Sequence, residues 1–153
     1  MSWSTFESLD PDLAAESLRL LVRDGIGQGL LATVGGDGPV RIHPIWLAVV
    51  DGRLLTFILA SAKRRDLETD GRYALHNHVD PAAPAELSIR GRARPVDDPA
   101  IREPAAAVWA FQVDAGYRLF ELDVEAVVLG ARAGADDWPP VYTSWKAPAP
   151  VAG

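Results

Sequence analysis

Apolar residues recur with two different periods along the chain. Between Ser8 and Gly25, "SLDPDLAAESLRLLVRDG" places Leu13, Leu18, Leu21 and Val22 on one helical face, with Asp10 as N-cap and Pro11 suited to the first turn. Such an amphipathic helix is expected to lie as a lid on a core. From Gly29 the spacing changes, and "GLLATVGGDGPVRIHPIWLAVVDGRLLTFILA" holds three apolar, β-branched runs separated by "GGDG" and "DG". Both separators carry turn chemistry, so three strands in consecutive hairpins are predicted.

Ala62 to Asp70 reads as a short helix with Ser61 as cap, Leu67 as its buried residue and Gly71 as terminator. Two strands, "RYALHNHV" and "AELSIRGRARPV", follow, and the prolines of the intervening "DPAAPA" mark a loop. "DPAIREPAAAVWAFQ" predicts another helix, capped by Asp98 with Pro99 in its first turn; Pro104 is expected to kink it or split that turn off. "YRLFELDVEAVVLGARA" and "PVYTSW" supply the last strands, and "KAPAPVAG" has too little apolar content to fold. The pattern is mainly β (α+β): six or seven antiparallel strands and two or three flanking helices. It suits a small barrel, because closure removes exposed strand edges. One domain over residues 1–145 and a flexible tail over 146–153 are expected.

At 153 residues and 16.5 kDa the chain is long enough for one real core, and 48% apolar with 24% charged residues is a globular balance. No apolar run is long enough to cross a bilayer, and "MSWSTFESLDPD" lacks the basic start and apolar middle of a secretory signal, so a cytoplasmic protein without a membrane partner is expected. A net charge of −6 argues against bulk nucleic-acid binding. The absence of cysteine excludes disulfides, thiolate zinc sites, iron–sulfur ligation and a cysteine nucleophile. His43, His76 and His78 are the only histidines; although His76 and His78 share one face of a strand, the pattern identifies no metal site. There is no G-x-S-x-G, G-x-G-x-x-G or Walker lysine, and Glu7, Asp51, Glu86, Glu121, Asp123 and Glu125 show no pairing signal. An enzyme built on this chain would therefore take its chemistry from a cofactor.

Two stretches carry candidate chemistry. In "SAKRRDLETDGRYALHNH", Ser61, Lys63 and the amides of a helix N-terminus come together, the groups that hold a phosphate. By residue type alone such a basic turn is more often a solvated helix face. Positive charge in a first turn, however, opposes the helix dipole by a few tenths of a kcal/mol unless an anion offsets it. In "RIHPIWL", Pro44 has no amide hydrogen, so the ladder is expected to break there and free backbone groups for a planar heterocycle. Trp46 and His43 carry less weight, since an aromatic in a strand is usually core and a lone histidine usually just satisfied.

Taken in order, "G-x-L-A-T", "P-x-W", an apolar third strand and "S-x-K-x-x-x-L" resemble the FMN-binding split-barrel superfamily, the pyridoxamine 5'-phosphate oxidase-like proteins and their flavin or deazaflavin relatives, over about residues 10 to 130. The resemblance implies a six-stranded antiparallel split β-barrel with Greek-key character, forming a homodimer with the cofactor at the subunit interface. It places Arg41, Ile42, His43, Pro44, Ile45 and Trp46 beside the isoalloxazine of FMN, Thr56 and Phe57 in the same cleft, and Ser61, Lys63 and Arg64 on the phosphate; Arg65 is left to solvent. It implies hydride transfer between FMN and a small-molecule substrate, with no side chain assigned as catalytic. Coenzyme F-420, a deazaflavin, is the alternative, in keeping with a composition typical of high-GC genomes, and a non-catalytic flavin- or haem-binding module is a further one. Two positions depart from the pattern. Glu86 stands where oxidase relatives often carry glutamine, and Trp145-Lys146 stands in for a C-terminal tryptophan and arginine set, which argues against vitamin B6 oxidation.

Overall fold

The computed structural model describes residues 1–23, 26–134 and 136–149. Two helices open the chain: α1 (Trp3–Leu9) and α2 (Pro11–Leu21), the latter capped by the Asp10 carboxylate, which accepts the Leu13 amide at 3.1 Å. The apolar pattern does not reveal α1, because seven residues are too few to show a period; buried Trp3 and Phe6 fasten it to the core. α2 stops at Leu21, short of the expected Gly25, because Val22 enters a two-residue strand, β1 (Val22–Arg23), paired with the start of β2 (Ile26–Val34). Gly25 lies outside the described residues.

β2, β3 (Val40–Val50) and β4 (Arg53–Ile58) form the expected meander. Between β3 and β4, Asp51 (φ 47°) and Gly52 (φ 71°) make a two-residue turn with both residues left-handed, the geometry that matches strand twist. Then come α3 (Ala62–Thr69), β5 (Arg72–His76), β6 (Ala85–Val96), α4 (Pro99–Ala107), β7 (Arg118–Ala131) and β8 (Val141–Lys146). α4 continues through Pro104 as one helix. The strand order is β1-β2-β3-β4-β7-β6-β5, and β5 pairs back onto β2, which closes six antiparallel strands into a barrel; β1 and β8 are additions at its rim. Among the strands, the pattern missed only the two-residue β1. The β2–β3 register runs unbroken from Gly27↔Leu47 to Val34↔Val40, so the ladder is not interrupted at Pro44, contrary to expectation.

Two apolar clusters share β4. The main one fills the barrel and its α1–α2 lid, with Trp3, Phe6, Leu21, Leu54, Ile58, and Phe120 among its members. The second, around Leu55, Phe57, Ala105 and Leu119, lies between β4, β7 and α4. Trp145 of β8 packs on Phe6 with ring centroids 4.7 Å apart, which sets it, half-buried, against the main core. No helix among the described residues is long and apolar enough to cross a membrane. The tail beyond Ala149 lies outside the described residues.

The longest pairing, β6 with β7, contains a bulge: Arg90 opposes Ala126 and Gly91 opposes Val124, leaving Glu125 as the extra residue. A Cβ on Gly91 would sit 1.7 Å from the Asp123 carbonyl oxygen. Gly91→Ala is therefore expected to destabilise the barrel by at least about 2 kcal/mol, read as a lowered urea midpoint.

Candidate functional site

β3 and β4 are paired only from Val50↔Arg53 to Ala48↔Leu55. On its other edge β4 pairs with β7, from Leu55↔Glu121 to Ile58↔Arg118, and among the described residues the edge of β3 facing away from β2 has no strand partner from Val40 to Leu47. The Thr56 hydroxyl donates to the Trp46 carbonyl at 2.8 Å, a single side-chain link where ladder bonds stop. α3 begins against this open edge. Lys63 Nζ stands 3.5 Å from the Pro44 carbonyl oxygen. Since the N–H and C=O of one strand residue point to the same edge, the missing Pro44 N–H also belongs to the open side, and the proline costs the β2 ladder nothing.

Strand alternation divides the predicted residues. Arg41, His43 and Ile45 face inward, while Ile42 and Trp46 face outward and are exposed, with Pro44 on their side. Thr56 lies on the barrel side of β4 with Leu54 and Ile58, whereas Phe57 points to α4, its ring 4.9 Å from that of Trp109. The Ser61 hydroxyl caps α3 by accepting the Arg64 amide at 3.3 Å and donates to the Leu59 carbonyl at 3.0 Å. Burial pushes the Lys63 ammonium pKa below its ordinary value. Arg64 reaches the other way, to Glu68 at 3.0 Å and to the Gly116 carbonyl at 3.3 Å. Arg65 is exposed. Arg41, His43, Pro44, Ser61 and Lys63 thus gather at one opening; Phe57 and Arg64 turn from it.

A residue the sequence pattern passes over holds the inner wall. Asp66 is buried on α3 and accepts the Thr33 hydroxyl at 2.7 Å and Arg41 at 2.9 Å on each carboxylate oxygen. Thr33 and Arg41 are direct cross-strand partners, so one carboxylate ties the β2–β3 hairpin to the helix. Burial alone would raise its pKa, but the hydrogen bonds from Thr33 and Arg41, with the charge of Arg41, hold it below the usual carboxylate value. The only sequence signal was its place beside Leu67 on the inward face of a basic helix. Burial also pushes the His43 pKa down, as do Lys63 and Arg41, against the opposing pull of Asp66; its Nε2 is enclosed without a hydrogen-bond partner. At the far side of the sheet, Glu86 accepts the Tyr142 hydroxyl, so its carboxylate is engaged by β8.

A closed antiparallel barrel split between two strands, with a basic helix start at the split, defines a split-barrel protein. The sequence profile of pyridoxamine 5'-phosphate oxidase matches residues 22–129, and the chain belongs to that family. Among solved structures, a FAD-binding protein from Mesorhizobium loti is 20% identical, with a TM-score of 0.62 over 76% of this chain and 92% of that one. An F420 reductase is 23% identical, with a TM-score of 0.57 over 72% of this chain and 94% of its own. A heme-binding protein from Mycobacterium smegmatis is 19% identical, with a TM-score of 0.65 over 86% of this chain; the match spans 57% of that protein's length. At such identities these likenesses establish the shared fold. Among curated proteins none is significantly similar in sequence.

Because the folded Asp66 pKa lies below its unfolded value near 3.9, its stabilisation is complete above about pH 4 and is lost as pH falls through the folded value. Asp66→Asn is expected to destabilise by about 1–3 kcal/mol at pH 7 and to flatten the rise of the urea midpoint with pH in the acid range, measured against the parent chain.

Proposed function

We propose that the opening between β3 and α3 binds FMN and that the chain is a cytoplasmic flavin-dependent oxidoreductase acting on a small molecule. The observation that carries this reading is the open edge of β3 with Lys63 beside it: an ammonium desolvated enough to lower its pKa, met by one carbonyl oxygen at 3.5 Å. A phosphate there would supply the missing counter-charge, with Ser61 and the first amides of α3 as further partners. The open-edge backbone groups of Ile42, Pro44 and Trp46 would lie along the ring system, with Thr56 fixing the Trp46 carbonyl, and Arg41 held in place by Asp66. Bound in this way, a flavin supplies hydride transfer, and the chain's part is to orient it and limit water.

The same reading includes a homodimer with the cofactor between subunits. Val40 and Ile42 are 67% and 68% exposed on the outer face of β3, and the cross-strand row from Ile42 runs through Ala32 and Ala74 to Arg90 and Ala126. A face on adjoining strands that sets exposed Val40 and Ile42 and small Ala32, Ala74 and Ala126 beside the polar Arg90 suits a second copy of the chain. Ile42→Glu should then convert dimer to monomer in analytical ultracentrifugation.

An F420 reductase among proteins of this fold favours a deazaflavin as the second reading. The absorption spectrum of freshly purified protein separates the possibilities: paired flavin bands for FMN, one near-ultraviolet visible band for a deazaflavin, a Soret band for haem. For FMN, Lys63→Ala is expected to weaken binding about tenfold or more in a fluorescence titration, one charge-assisted contact being worth about 1.5–3 kcal/mol. Unchanged affinity would remove the phosphate assignment.

A further inference from the structure

On the opposite flank of α3, a cavity of about 390 Å³ opens between α3, the end of β6, α4 and the start of β7; Arg64, Asp97, Arg102, Tyr117 and Arg118 are on its wall. Three guanidinium groups face one carboxylate there. Among the described residues Arg102 has no acidic partner: it donates to the carbonyls of Tyr117 at 3.0 Å and Asp114 at 2.9 Å, and lies over the Phe57 ring at 5.1 Å. Arg64 and Arg118 share a single carboxylate, Glu68, at 3.0 and 3.1 Å. Asp97 is 3.6 Å from Arg118, with 81% of its side chain exposed, so it offsets part of the charge of one guanidinium while leaving most of the positive charge in place. Arg118 Nε is enclosed without an acceptor. Most N–H donors of the three forks therefore have no protein partner, and the half-buried Arg102 has no counter-charge.

We propose that this cavity is a second anion site, distinct from Lys63, that takes a phosphate group. Three guanidinium forks from three different elements approach from different directions, which suits a tetrahedral oxyanion better than a planar carboxylate. Consecutive residues serve the two sites: Lys63 reaches the Pro44 carbonyl on β3, and Arg64 reaches the Gly116 carbonyl before β7. Arg64 and Arg102 also grip the carbonyls of the Asp114–Tyr117 segment, so an anion held between them fastens that segment as well.

The test uses the full chain carrying Lys63→Ala, which removes the other candidate site, and equilibrium dialysis against inorganic phosphate at constant ionic strength. One saturable site is expected. Adding Arg102→Gln with Arg118→Gln should weaken it at least about tenfold, whereas adding Asp97→Asn should tighten it about threefold. The exposed Asp97 change keeps the test decisive if the double arginine variant fails to fold. No saturable binding in the Lys63→Ala chain, or an affinity that Asp97→Asn leaves unchanged or lowers, overturns the proposal.

Discussion

A strand that gives up its partner halfway leaves a row of backbone groups needing some other partner, and this is the constraint around which the barrel is arranged. β3 stays with β4 for three pairs and then stands alone along one edge. Three side chains manage the exposed groups. Pro44 removes one donor outright, Thr56 serves the Trp46 carbonyl, and Lys63 comes up to the Pro44 carbonyl. β4 pairs with β7 along its other edge, Leu55 being paired on both sides, and the sheet continues through β7, β6 and β5 to close on β2.

Charge then decides how α3 is used. Its first turn carries Lys63 and Arg64 against the direction of the helix dipole, with no acidic residue there to offset them. The compensation within the chain comes from later in the helix: Glu68 pairs with Arg64 and Arg118, and Asp66 pairs with Arg41. Asp66 holds the hairpin against the helix, but it leaves Lys63 without a carboxylate. The helix therefore fixes the inner wall of the opening, while Lys63 at its mouth meets the Pro44 carbonyl and, among the described residues, pairs with no carboxylate.

Most of the architecture could be read from local signals, and the parts that could not depend on register. Asp10, Ser61 and Asp98 cap the helices that their spacing predicts, and the Asp51-Gly52 turn forms as its composition requires. Pro44 pointed to the right strand for a partly wrong reason: it tolerates an edge that the fold has already opened, and does not break the ladder. The Thr33–Asp66–Arg41 contact was hidden, because no periodicity says that residues 33 and 41 face each other or that residue 66 comes down on both. Likewise, adjacent Lys63 and Arg64 look equivalent in a basic run, yet a turn of about 100° per helical residue sends them to opposite flanks.

β4 is buried on both faces, with the barrel interior on one and α4 on the other. The two sides are unequal, since the α4 side rests on a handful of buried residues and on arginine bonds to loop carbonyls, whereas the barrel side is continuous with the main core. Local opening free energies follow such differences in buried contact. The layer formed by α4 and the segment after it is therefore expected to exchange its amide hydrogens sooner than the barrel behind it.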